Sequence, residues 1–195
     1  MGRRQLRGRN RRAVVALHLA EAGGADTVAV DGKCARGSRH GAVPAVHLLA
    51  AMTGEGRTVS QLPVPDKTNE ITCSAALLAP FDLRDVVVTA DALHTQTAHV
   101  RFLIEQKQAH FLFLVKANQP GLVAALRSPP WKEMTARRHD RGAGHGRREM
   151  RATRVLTVTG TGLDFPYVVQ AARILRYRVD TASGTLHPRD RLRDH

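Results

Sequence analysis

The chain has 195 residues, 43% of them hydrophobic, enough to bury one substantial core without disulfide or metal staples. Thirty Lys and Arg against 17 Asp and Glu leave a net charge of +13, which makes a polyanion the natural partner. A disulfide scaffold and a spanning helix are excluded: Cys34 and Cys73 form no C-x-x-C pair, and no apolar run reaches the roughly 18 residues that a bilayer requires. No apolar stretch of signal-peptide length follows the basic start, so a soluble intracellular protein is expected.

Arginine supplies most of the positive charge, and its forked donors match phosphate oxygens in two-point geometry. Aromatic residues make up only 4% of the chain, which argues against a single-strand binder that works by stacking bases. Residues 1–12 read as a basic arm, and Ala13–Ala22 as a short helix ended by Gly23-Gly24; together 1–22 form an N-terminal appendage to a domain spanning 23–195. Thr27–Val30 reads as a strand, then a polar loop from Gly32 to Gly41. Ala45–Met52 and Thr58–Val64 follow as two more strands around the turn Thr53-Gly54-Glu55-Gly56, so the three make an antiparallel meander. The period then changes. Ile71, Ala75 and Leu78 share one helical face, Thr68 is placed to cap it, and Glu70 lies in the first turn, where the dipole favours an acid.

Pro80 stops that helix. The apolar strand Asp85–Thr89, a helix over Thr95–Lys107 and the buried strand His110–Val115 come next, followed by a turn at Lys116–Gly121. Residues 128–154, rich in Pro, Gly, His and Arg, read as a basic loop or insertion. Val155–Val158 and Tyr167–Val169, with Ile174-Leu175 behind, read as short strands, and 186–195 carry no element signature. The order β-β-β-α-β-α-β belongs to the α/β class, with a mixed sheet and helices on its faces.

Two strands end on an aspartate, Asp31 and Asp91. Consecutive strands tend to be neighbours and parallel crossovers are right-handed, so the strand after the first helix is expected beside the first meander strand, which brings the two carboxylates together. Carboxylate oxygens with retained waters suit Mg2+ or Mn2+, and a pair of such ions serves phosphodiester displacement. Asp31-Gly32 equally reads as a hairpin dipeptide, and Asp91 as a cap for the helix behind it.

The segments V-A-V-D-G-K-C-A-R-G-S (28–38), K-T-N-E-I (67–71), V-T-A-D-A-L-H-T-Q (88–96), L-V-K-A-N-Q-P (114–120) and H-G-R-R-E-M-R (145–151) resemble, in order and spacing, those of the ISAs1-type, or H-repeat-associated, bacterial transposases. The likeness covers about residues 26–178. It implies a ribonuclease H-like catalytic core, Asp31 and Asp91 as the first two acids of a DDE triad, Mg2+ or Mn2+ as cofactor, and insertion-sequence ends of double-stranded DNA as substrate. A cytoplasmic, nucleoid-associated protein that forms homo-oligomers at full length is implied too, with no membrane. Lys33, Arg36, Lys116, Asn118, Gln119, Arg147 and Arg148 are the candidate DNA contacts, with Lys116, Asn118 and Gln119 alternatively holding the loop near the metal.

Cys34-Ala35 departs from the threonine-leucine usual there, and the family's third acid, a glutamate on a later helix, has no counterpart in this chain. Glu149 is a weak substitute, because it lies inside the H-G-R-x-E-x-R segment. The expectation is therefore a copy truncated at the C-terminus and at the N-terminus, without the catalytic helix and inactive by itself. The rival readings are a basic DNA-binding remnant without chemistry and a nuclease on the same fold that cuts without joining.

Overall fold

The computed structural model describes residues 12–18, 26–41, 45–65, 70–134, 137–144, 147–158, 163–180 and 186–187. The meander forms as its apolar runs predict: β2 (Thr27–Ala35), β3 (Val46–Thr53) and β4 (Thr58–Pro63) pair antiparallel. β2 continues past Val30, through Asp31 and Gly32, before a single 3-10 turn at Arg36–Ser38. The polar loop expected from Gly32 is thus strand in its first part, because β3 offers ladder partners as far as Ala35.

Helix α1 (Glu70–Leu78) then carries the chain across the sheet to β5 (Val87–Ala90), which lies parallel to β2. α1 buries Ser74, Leu77 and Leu78; the Thr68 cap falls outside the described residues. Beyond β5, a 3-10 turn at Ala92–His94 leads into α2 (Thr97–Arg101), which widens into a π-turn at Phe102–Gln106. β6 (His110–Val115) returns parallel to β5. The turn expected at Lys116–Gly121 is followed at once by α3 (Pro120–Arg127). Pro120 at its start has no amide to leave unsatisfied and a φ already suited to a helix.

Two further expectations are overturned. Arg12–His18 is not helical: it is strand β1, inserted antiparallel between β6 and β9 (Gln170–Asp180). Adjacent Val14 and Val15 are β-branched and suit a strand, and β6 would otherwise present an open edge there. The rest of the expected helix, residues 19–22, lies outside the described residues. The second is the loop alternative for the segment read as a basic loop or insertion, 128–154. That segment contains β7 (Arg137–Gly144) and most of β8 (Arg147–Thr157), an antiparallel pair in unbroken register from Arg137↔Arg154 to Gly144↔Arg147. β8 in turn pairs with β9 along its whole length, so the short strands expected at Tyr167–Val169 and Ile174-Leu175 are replaced by one long strand. β10 (Leu186–His187) adds two residues to β9.

The result is one mixed sheet in the order β4-β3-β2-β5-β6-β1-β9-β8-β7, of α/β class and compatible with the ribonuclease H-like expectation. Side chains alternate across it. Val30, Leu49, Val88, Phe111 and Phe113 lie on one face, where they bury against Leu77, Val100, Leu103 and Leu126 of the helices. Trp131 closes this core beyond α3, its indole N–H donating to the Leu126 carbonyl at 2.8 Å. On the opposite face Leu112, Leu114, Val155 and Ile174 gather around Ala172. No helix among the described residues is long and apolar enough to cross a membrane.

Candidate functional site

The last aligned pair between parallel β2 and β5 is Val30↔Ala90, so Asp31, within β2, and Asp91, just past β5, follow on neighbouring stretches of chain. Neighbouring strands run about 5 Å apart, which brings the two backbones as close as the sequence predicts. Val30 and Val88 face the helix-covered core, and the residues one step on, Asp31 and Thr89, face the other side. Both carboxylates stay accessible, at 45% exposure for Asp31 and 54% for Asp91.

Each is partnered by one lysine. Lys33, two residues along β2, places Nζ 3.4 Å from Asp31 Oδ2. Lys116 stands just past the end of β6, the strand beside β5, and its Nζ donates to Asp91 Oδ1 at 2.7 Å. The Ala92 amide donates to the same oxygen at 2.6 Å. Partial burial by itself raises the Asp91 pKa, and the hydrogen bonds from Lys116 and from the Ala92 amide outweigh it, so the group ends below its ordinary value. Asp91 is therefore ionised and caps the 3-10 turn as well as lining the site; the two readings of its position are compatible.

The loop after β6 is tied to the segment carrying Asp91. Asn118 Nδ2 donates to the Ala92 carbonyl at 2.8 Å and Gln119 Nε2 to that of Thr95 at 2.8 Å, while Thr95 Oγ1 donates back to the Leu114 carbonyl at 2.6 Å. Lys116, Asn118 and Gln119 thus hold the loop beside the acids. Arg36 sits in the 3-10 turn after β2 and Arg147 pairs in the sheet with Gly144 and Asp180, but their side chains lie outside the described ones. Arg148, one step along β8, is exposed.

Glu149 is not brought to the aspartates. It lies on β8, separated from β2 by β5, β6, β1 and β9, and is held by Arg176 Nε at 2.6 Å and Arg151 Nε at 2.7 Å. The acid that does approach, with no role assigned to it beyond the helix dipole, is Glu70. Its carboxylate packs against Gly32, which follows Asp31, but from the helix side of the sheet. Its one legible signal is its place in K-T-N-E-I, in the first turn of α1. His94, three residues beyond Asp91, is fully buried rather than open to the site.

Asp31 and Asp91 supply exposed carboxylate oxygens, hard donors of the kind that suit a divalent ion completing its shell with water and substrate phosphate. Among the described residues no group of three His, Cys, Asp or Glu has metal-holding geometry.

Residues 22–179 match the family model for the transposase DDE domain. Among curated relatives, "H repeat-associated putative transposase YhhI" of Escherichia coli K12 is 32% identical over 153 residues, covering 73% of this chain and 39% of the relative. "H repeat-associated putative transposase YbfD" of the same strain is 32% identical, covering 73% and 59%. A protein of Xanthobacter autotrophicus described as "Uncharacterized protein in dhlA 3'region" is 39% identical over 134 residues, covering 65% and 44%. The chain thus spans about two-fifths to three-fifths of the length of these relatives. No solved structure matches it.

Proposed function

The chain belongs to the transposase DDE-domain family, and from that premise we propose that it carries the first two acids of a site for metal-dependent cleavage and joining of DNA at the ends of an ISAs1-type insertion sequence, and is inactive by itself without the third. The observation that carries the proposal is the parallel register of β2 and β5, which ends at Val30↔Ala90 and sets Asp31 and Asp91, both accessible, on neighbouring stretches of chain. The mixed sheet with helices on one face is compatible with a ribonuclease H-like core, which supports the reading.

Asp31 and Asp91 would hold Mg2+ or Mn2+, which supplies activation of an attacking oxygen and stabilisation of a leaving one. Asp91 is kept ionised, and so ready as a ligand, by Lys116 and the Ala92 amide. Lys33 and Lys116 put ammonium donors beside the acids, where a phosphate oxygen entering the site meets positive charge. Asn118 and Gln119 keep the Asp91 loop in register with β6. Farther along the sheet, the exposed arginines of β7 and β8, Arg138, Arg141, Arg148 and Arg151, offer phosphate contacts without base readout. That ribbon also favours a second reading, a duplex-binding module without chemistry, because its charge is independent of the aspartates.

Paramagnetic Mn2+ titrated into the isotopically labelled chain decides between them. The expected outcome is selective broadening around Asp31 and Asp91, abolished by Asp91→Asn, with salt-dependent binding to end-sequence duplex retained in the variant. Duplex binding without Mn2+ broadening at those residues would leave the binding module alone.

A further inference from the structure

We propose that Glu70 is a positioning residue, a clamp that holds the segments after Asp31 and after Asp91 at a fixed separation from the helix side of the sheet. The proposal rests on the reading of Asp31 and Asp91 as a metal-binding pair and adds a residue to it.

Glu70 is the first residue of α1, and its side chain is only 17% exposed. Oε1 lies 2.7 Å from His47 Nε2 and Oε2 lies 3.4 Å from His94 Nε2. His47 is on β3, opposite Cys34 of β2. His94 ends the 3-10 turn that Asp91 caps. One carboxylate therefore bridges the strand beside Asp31 and the turn behind Asp91.

Gly32 supplies the third side. A methyl group there would overlap the Glu70 carboxylate, and Gly32 is not among the glycines with positive φ, so its backbone alone does not demand glycine. The missing side chain is explained by the carboxylate that takes its place. Gly32 directly follows Asp31, so a methyl group there turns the end of the Glu70 side chain away from the segment that carries the acid.

The turn behind Asp91 is gripped a second time. His99 contacts the Ile71 carbonyl through Nε2 at 2.6 Å and the His94 carbonyl through Nδ1 at 3.2 Å, and its ring stacks on His94 at 5.3 Å. His94 is 1% exposed, and neither ring nitrogen makes a well-formed hydrogen bond among the described residues. The Glu70 carboxylate is the acid that faces it. A glutamate kept only for the helix dipole belongs in water at the helix start; this one is turned inward, against two imidazoles and a glycine.

The test uses the full chain, labelled for NMR, with Glu70→Gln, Gly32→Ala and the double variant. Glu70→Gln is expected to shift the amide resonances of residues 31–33 and 91–94 together, and to weaken Mn2+ binding about 10- to 100-fold, the range for groups that orient metal ligands. Gly32→Ala should reproduce both effects, and the double variant should lose no more than either single one, because both break the same contact. Lowered melting temperature with wild-type Mn2+ affinity and unmoved resonances at one or both segments would reduce Glu70 to a helix-start acid and overturn the proposal. Should the wild-type chain show no Mn2+ broadening at Asp31 and Asp91, the metal reading fails on its own, and the paired resonance shifts still decide the clamp.

Discussion

The end of the sheet that carries the aspartates and the ribbon formed by β7 and β8 use the same backbone ladder but are held in place by different forces. Around Asp31 and Asp91 the strands bury apolar side chains, with Val30, Val88, Phe111 and Phe113 beneath helices, and Asp91 is held by hydrogen bonds from the Ala92 amide and Lys116. In the ribbon the described side chains are exposed or half-buried up to Arg151, and arginines pair with acids along and across the strands, as Arg138 does with Asp140 and Arg176 with Glu149. Burial of apolar side chains anchors the first region. The second needs only a spaced array of charge, which hydrogen-bonded strands supply without a core.

The widest separation between the regions should appear in stability. Phe111→Ala, at a fully buried position of β6, should cost about 3–5 kcal/mol, whereas Arg141→Ala on the ribbon should stay within about 0.5 kcal/mol; denaturant midpoints at constant slope measure both. Equal losses would mean that the ribbon is part of the core. In duplex binding the order reverses. Arg148→Ala and Arg151→Ala should each lower the slope of log affinity against log salt by about one, while Asp31→Asn leaves that slope unchanged. The smallest effect concerns Glu149. The hydrogen bond from Arg176 pulls its pKa down against the opposing effect of burial, with Arg151 adding to the pull, from 4.5 to about 2. A depressed folded pKa stabilises above the unfolded value and is lost as pH falls through the folded one. The melting-temperature advantage of wild type over Glu149→Gln should therefore be complete above pH 4.5 and fade towards pH 2; a pH-independent difference would show that the ion pair is not its source.

The contrast also explains which elements were legible. β2 to β6 and α1 announce themselves because their apolar residues recur at strand or helix period and bury against each other. β7 and the first part of β8 do not, since strands that bury little need no apolar alternation, and R-R-H-D-R-G-A-G reads as loop by every composition rule. α3 was hidden behind Pro120-Gly121, a dipeptide that signals a turn although proline also opens helices. β1 was misread because R-A-V-V-A-L-H carries no strict alternation. Its assignment is made by the neighbours it lies between.

The amino-acid sequence by itself determined the family, the α/β order of the core and the neighbourhood of Asp31 and Asp91 on the first strand of the meander and just past the strand after the first helix, because apolar period and motif spacing are local properties that survive without coordinates. Tertiary structure alone decided that β1 closes β6 onto β9, that the basic segment is ribbon rather than loop, and that Glu70 turns inward to meet Gly32, His47 and His94. Those outcomes depend on which residues, far apart in the chain, come within hydrogen-bonding reach, and the pattern along one strand or helix carries no record of that.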